Sequence, residues 1–545
     1  MEAKEKTQVL FNQSGLGWRL ISKGSVKLLH AGSVLGENAD EVLMLLRATQ
    51  PELDKIKSVV SNFKGHFGLV YQDEHKIIAV TDCIASYPVF YRSSDNGCNI
   101  ATSANALKTG CTVDRSQAKA VMLSGYTVGR GTVFQEISSL GHGKILFQDS
   151  YKKNHIISEH YKFSPWREPY QLSRDHLKKK LVDVTLQSIE RVMEQASDRQ
   201  IAVPLSGGRD SRLVVSALKH LGAKNVTCYS YGPHGNFEGE IAKLIAKRLG
   251  FDWVFVEVTP RIQQKFWKTR IPDEFAIRSN DFMAAPVFHD LFATDALLKK
   301  KVISKDALIV NGNSGDFITG NHIPMDLIAM NLNCSDDNVE HLLTSMLQKH
   351  YSMWSSLQSD ENLCSIKTLL MSQLATIGGM DGDKTLVALH EYLEMTNRQI
   401  KWVIKRQKIY DFLSLSWALP LWDIDFIRFW ERAPLQYKQR QNLFVEMLHE
   451  QNWGGVWQDI PGNEARHVSP KWMRYGVRPI FKALHAPFGK AHWHRFEKRF
   501  LDYWLDELGL YGPFGYLGVL REKDMARNCI APHIRAYARD MGFEE

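Results

Sequence analysis

The sequence lacks the marks of export and of membrane insertion. Residues Met1–Lys6 contain no apolar core, so no secretory leader is expected there. The longest uncharged apolar stretch, near 412–422, is about half a membrane span and contains Pro420. Cysteine is sparse: seven residues, at 83, 98, 111, 228, 334, 364 and 529, none at metal-ligand or redox spacing. A disulfide framework and a structural zinc site are therefore not expected, and a reducing, cytoplasmic setting is. Net charge is low for 545 residues, +8, with 44% hydrophobic and 23% charged residues. That composition excludes wholesale disorder, collagen and coiled coil. Internal repeats, low-complexity tracts and nucleic-acid recognition modules are absent, and a basic surplus alone does not imply nucleic acid.

What is present divides in two. Residues 1–165 read as β-rich. Gly65-His66-Phe67-Gly68-Leu69-Val70-Tyr71 and Lys76-Ile77-Ile78-Ala79-Val80-Thr81 flank the turn-forming Gln72-Asp73-Glu74-His75, which predicts a hairpin. Val89–Tyr91 and Ile100–Thr102 predict further short strands. The stretch 161–169 predicts a linker. From Arg174 the period changes: Leu177, Leu181, Val184 and Leu186 lie on a helical stripe running toward Met193. Strands are then predicted at 201–205, 226–230, 253–258 and 307–310, with helices at 213–221 and 240–249 between them. Such alternation implies a parallel sheet covered on both faces, with ligands at the carboxyl ends of its strands. Residues 325–545 read as mostly helical.

The chemistry converges on one loop. The strand at 201–205 runs through Leu205 into Ser206-Gly207-Gly208-Arg209-Asp210-Ser211, and a helix follows. Two glycines let backbone amides face one point, and the helix directs its unpaired N–H groups and positive dipole end there. The serines add donors, and an aspartate can hold a divalent cation between phosphates. A pyrophosphate and Mg2+ site is the natural reading. No Gly-Lys-Ser/Thr follows, so it is not a Walker loop.

This hexapeptide resembles the pyrophosphate loop of the asparagine synthetase-like (class B) ATP-pyrophosphatase family. Gly312-Asn313-Ser314-Gly315-Asp316 resembles that family's second metal-binding segment, and Glu238 and Pro420-Leu421-Trp422-Asp423 fit its landmarks. Gly65-x-Phe67, Asp82, Tyr87-Pro88-Val89-Phe90-Tyr91 and Ala101-Thr102-Ser103 resemble its glutaminase half. The resemblance implies an α/β protein. An N-terminal glutaminase-like (Ntn-type) αββα sandwich, 1–165, precedes a doubly wound parallel-sheet ATP-pyrophosphatase domain, 166–545, with a helical C-terminal extension. It implies ATP and Mg2+ as cofactors, with Asp210 and Asp316 as metal ligands. Leu205, Ser206, Gly207, Gly208, Asp210, Ser211, Gly312 and Asn313 would contact the nucleotide, and Ser230 would lie beside the adenosine.

Three departures shape the expected activity. The family's glutaminase uses an N-terminal cysteine as nucleophile; here the sequence begins Met1-Glu2-Ala3 and Cys83 reads as a core residue, so glutamine hydrolysis is not expected. Asn313 replaces a family glutamate near the attacking amine and cannot take its proton. Asp281, the pair His289-Asp290, and His322 are the alternatives for a base. The family's C-terminal lysine finds a counterpart in Lys471 or Arg466. The expectation is an AMP-forming amide ligase. It would join a carboxylate, in the branch common in bacterial surface-polysaccharide clusters a sugar uronate, to ammonia or an amine. A separate ammonia source and a homodimer are compatible with this. Intramolecular closure, as in β-lactam synthetases and lasso-peptide cyclases, and an inactive scaffold are the alternatives. The basic surplus is concentrated in 464–499, with nine lysines and arginines against two glutamates and aromatics interleaved. It is either a solvated face or a docking surface for an acidic or lipid-linked substrate.

Overall fold

The structure, a computed structural model, describes residues 7–12, 15–94, 97–152, 154–330, 336–378, 384–462, 472–505, 512–521 and 530–543. The N-terminal part has two sheets. One has six antiparallel strands in the order Ile156–Glu159, Lys144–Asp149, Lys76–Thr81, Gly65–Gln72, Val26–Val34, Arg19–Lys23. The predicted hairpin lies at its centre, with Gln72 opposite Ile77 and Gly68 opposite Thr81. The other sheet has four strands in the order Gln8–Val9, Gly97–Ala101, Phe90–Ser94, Ser138–Ser139, and its first pairing is parallel.

Both faces of the six-stranded sheet are apolar, which explains why Lys76–Thr81 is buried along its whole length. Leu28, Leu69, Tyr71, Ile78 and Val80 meet Val42, Leu43 and Leu46 of the helix Ala39–Ala48. Leu29, Val70 and Ala79, pointing the other way, join the main core with Phe90 and Ile100. The two-residue strand period sorts these residues between two layers. Asn38 and Glu41 form a reciprocal capping box at the start of the helix.

The second sheet system is parallel throughout. Its strands are β1 (Ile201–Pro204), β2 (Val226–Gly232), β3 (Asp252–Glu257), β4 (Leu308–Val310) and β5 (Ser416–Ala418), in the spatial order β3-β2-β1-β4-β5. The long helix Arg174–Ala196 precedes it. Helix α1 (Arg209–His220) follows β1 and α2 (Phe237–Leu249) follows β2. Strand β5 is an addition to the expected set. It is three residues long, too short to show a period of its own, and exists by pairing with β4. The chain builds outward from β1 to β3, then returns to the other side of β1 at β4. That reversal opens a crevice at the carboxyl ends of β1 and β4. The rest is largely helical, and no helix among the described residues is long and apolar enough to cross a membrane. The fold class is thus α/β: sandwich, then parallel sheet, then helices.

The stretch read as a linker is fastened down. Tyr161 OH donates to Glu431 Oε1 at 2.9 Å, and the Ser164 N–H donates to the same oxygen at 2.7 Å. Further ties are an ion pair between Lys64 Nζ and Asp425 Oδ2 at 2.8 Å and a hydrogen bond from Tyr87 OH to Asp411 Oδ1 at 3.0 Å.

Candidate functional site

The crevice is a cavity of about 520 Å³ between the β1–α1 loop and the loop after β4. Strand β2 holds the first loop from below: the Leu205 N–H donates to Tyr229 O at 2.8 Å, and Ser230 Oγ donates to Leu205 O at 2.6 Å. Trp253 Nε1 donates to the same Ser230 oxygen at 3.0 Å. Ser230 lines the cavity, but its hydroxyl is spent on the loop's backbone. Above it, the Ser206 N–H donates to Ser211 Oγ at 3.1 Å, and the Gly208 N–H donates to Ser206 Oγ at 3.2 Å. The first turn of α1 has no side-chain cap at Gly208. Its N–H groups and dipole therefore remain available to an anion.

The glycines serve differently from their expected roles. Gly208 has an ordinary φ of −73°, and a Cβ there would meet only Ser206 Oγ. The glycines that sterics require lie in the second loop. A Cβ on Gly312 would stand 2.7 Å from the Asp210 carbonyl carbon and 2.7 Å from the Ser211 nitrogen. One on Gly315 would stand 2.6 Å from Leu421 Cδ1 and 2.7 Å from Asp210 Oδ1. Real Cβ atoms do not approach so closely, so these two residues let the loops touch.

That approach brings together the two predicted metal ligands. The Asp316 N–H donates to Asp210 Oδ2 at 3.0 Å. Burial first, then the charge of Asp316, pushes Asp210 up to about 7. Burial acts to raise Asp316 as well, but the hydrogen bond and charge of His322 outweigh it and hold Asp316 below the usual carboxylate range. Two convergent carboxylates, one without a neutralising partner, form a hard-oxygen donor set that fits Mg2+. Asn313, in the same cavity wall, donates its N–H to Asn311 Oδ1 at 3.1 Å.

The three base alternatives separate. His322 Nε2 lies 2.9 Å from Asp316 Oδ2, and its Nδ1 is hydrogen-bonded to the buried Glu394. Burial acts to lower its pKa, but the two carboxylates overcome that and raise it to about 9. With both nitrogens engaged and the ring protonated near neutrality, His322 orients Asp316 rather than accepting a proton. Asp281 does not line the cavity; it is buried and paired with Lys408 Nζ at 2.7 Å. Asp290 does line it, accepting from Tyr410 OH at 3.0 Å and from Tyr231 OH. Arg466 and Lys471 lie outside the described residues. The described chain ends before them at Gly462, in the cavity wall, where Arg212 binds the carbonyls of Ile460 and Pro461 at 3.1 and 2.7 Å and that of Gly207 at 3.0 Å.

Sequence reasoning missed Arg406 and Gln441. Arg406 lines the cavity, and its buried Nε has no hydrogen-bond partner. Gln441 accepts from Arg209 Nη1 at 3.2 Å and donates to Thr319 Oγ1 at 2.6 Å. Neither sits in a motif, and both arrive from helical segments distant in sequence.

A parallel sheet with a Ser-Gly-Gly-x-Asp-Ser loop at its switch point, facing a second aspartate, defines an α/β domain of the ATP-pyrophosphatase kind. Residues 180–450 match the asparagine synthase family, so the chain carries an asparagine synthase domain there. Among solved structures, the chain is similar to an allosteric regulatory enzyme of purine biosynthesis at 12% identity and a TM-score of 0.19. That match covers 44% of this chain and 62% of the other, less than two thirds of its length. It is also similar to the NH3-dependent NAD synthetase of Campylobacter jejuni at 14% identity and a TM-score of 0.21, covering 39% of this chain and 99% of that one. No protein of curated function matches.

Proposed function

We propose that this protein is an AMP-forming amide ligase that adenylates a carboxylate and passes the acyl group to ammonia or an amine. The observation that carries the reading is the Asp210–Asp316 contact beneath the uncapped first turn of α1. It sets two carboxylates able to hold a divalent cation beside a helix terminus able to receive an anion. In the first half reaction a substrate carboxylate oxygen attacks the α-phosphorus of ATP, the bond to the β-phosphate oxygen breaks, and pyrophosphate leaves. Loop amides, Ser206 and Ser211 bind that leaving group. Asp210 and Asp316 would hold Mg2+, which would supply neutralisation of that charge. In the second half reaction the amine nitrogen attacks the acyl carbon, AMP departs, and the nitrogen loses one proton. Asp290, in the cavity wall, is the carboxylate placed to take it. Arg406, in the cavity wall, is a cation placed to bind the substrate carboxylate.

The acceptor we favour is a sugar uronate of surface-polysaccharide synthesis. The amine comes as ammonia, directly or from a separate protein, or on a second substrate. Support comes from the cysteines of the sandwich. Burial pushes the Cys83 thiol well above its ordinary value and the Cys98 thiol up to about 12. Burial raises the Cys111 thiol as well, so all three are held toward the protonated, less nucleophilic form.

The test mixes protein, Mg2+, ATP and panels of hexuronates, other carboxylic acids and amines, and follows AMP and pyrophosphate. AMP that appears only with a hexuronate and an amine supports the full reading. Formation of ADP defeats the loop assignment. A signal from a single compound bearing both groups favours intramolecular closure, and neither turnover nor ATP binding favours a scaffold.

A further inference from the structure

The helices beyond residue 471 present a surface that the ligase reading does not use. Residues Met473–Val477, Arg478–His485 and Lys490–Phe500 form a helical unit with a small core of its own: Met473, Trp493 and Leu501, supported by Val477, Phe496 and Trp504. Phe481 stacks on Phe496 with ring centroids 5.3 Å apart. That core uses few of the apolar residues. The helix Arg478–His485 buries none of its eight residues. Trp472, Tyr475, Ile480, Leu484 and Phe488 are between 55% and 72% exposed. Ile480 and Leu484 are one helical turn apart, and so share a face. Large apolar residues exposed along one short stretch of helix mark an interaction site.

Charge identifies the partner. Between 472 and 499 stand seven lysines and arginines and one acid, Glu497. Glu497 is paired with Arg478 at 2.6 Å. A surplus of six repels a second copy of the same face. Nucleic acid would satisfy the cations but offers nothing to Ile480, Leu484 and Phe488. A bilayer with anionic headgroups satisfies both: cations meet the phosphates, Trp472 and Tyr475 sit at the headgroup level, and the aliphatic side chains enter the acyl boundary. We propose that residues 472–500 dock the protein peripherally on an anionic phospholipid surface, without crossing it.

The surface and the cavity adjoin the same stretch of sequence, since the described chain leaves the cavity wall at Gly462 and resumes at Trp472. The proposal stands whether or not the ligase reading does.

The experiment is co-sedimentation of the full chain with phosphatidylcholine vesicles, with and without phosphatidylglycerol, at low and high salt, without ATP. The expected result is binding only to the vesicles containing phosphatidylglycerol, weakened by salt. Each exposed cation reversed, as in Lys482→Glu, Lys490→Glu or Lys498→Glu, should cost about fivefold in affinity. Ile480→Asp with Leu484→Asp should cost at least about tenfold. Both residues are exposed, so unchanged circular dichroism should certify the fold. Failure to bind the anionic vesicles overturns the proposal, as does equal binding by wild type and the double variant. A wild-type dimer that the double variant splits, with vesicle binding unaltered, would assign the face to a protein partner and also overturn it. None of these readouts involves AMP, so failure here and failure of the ligase reading are separate results.

Discussion

Asp82 in the sandwich, buried, and Asp210 in the parallel-sheet domain, half-buried in the cavity wall, both follow strands, yet their surroundings differ. Asp82 accepts three backbone N–H groups, from Phe67 at 2.7 Å, Ile84 at 2.9 Å and Ser86 at 3.1 Å. Its charge is consumed in holding the turn after Lys76–Thr81. Asp210 accepts the Asp316 N–H, but burial and the charge of Asp316 outweigh that and raise it to about 7. Asp82 spends its oxygens on the sandwich's own backbone, whereas Asp210 lines a cavity. Uncompensated charge, more than residue type, separates a functional site from a structural one.

The sharpest way to break that contrast is an isosteric change on each side. Asp210→Asn or Asp316→Asn should lower AMP formation by about 100- to 1,000-fold, with the melting temperature held or raised. If either variant keeps full activity, the metal assignment falls. Asp82→Ala should do the reverse, costing about 3 kcal/mol in denaturant unfolding because three hydrogen bonds to one carboxylate are lost. Its residual folded fraction should turn over normally.

A smaller effect is expected where the two loops touch. Gly315→Ala puts a methyl group against Leu421 and Asp210, and should cost about 2 kcal/mol and at least about tenfold in AMP formation. Gly208→Ala meets only Ser206 Oγ in the protein. It should leave stability nearly unchanged and weaken ATP binding alone, a difference that equilibrium binding and unfolding resolve together.

His322 gives a pH test. Its pKa is raised from 6.5 to about 9 in the folded protein. A raised folded value means that the imidazolium stabilises the fold fully below pH 6.5, and that this contribution fades as pH rises through about 9. Melting temperatures of the wild type should fall across that window, and those of His322→Gln should not. The smallest expected effect is that of Cys83→Ala: AMP formation within about twofold of wild type, and a modest loss of stability from one small cavity. A large loss of activity would return the sandwich to the chemistry.

The sequence by itself determined much of the frame. The strand period placed the hairpin at 65–81, the change of period at Arg174 marked the second sheet system, and the spacing of β1, its loop and α1 pointed to the loop that lines the cavity. These signals are local, because a strand or a helix start is written in neighbouring residues. Only the tertiary structure decided the rest. Strand β5 exists because β4 is beside it. His322 changes from a base to a clamp because Glu394, 72 positions away, holds its other nitrogen. Arg406 and Asp290 reach the cavity from helices and loops that carry no motif. Gly312 and Gly315, more than Gly208, prove to be the glycines that sterics demand, because that requirement comes from a loop about a hundred residues earlier. Contacts between distant segments set burial and charge compensation, and neither can be read from spacing along the chain.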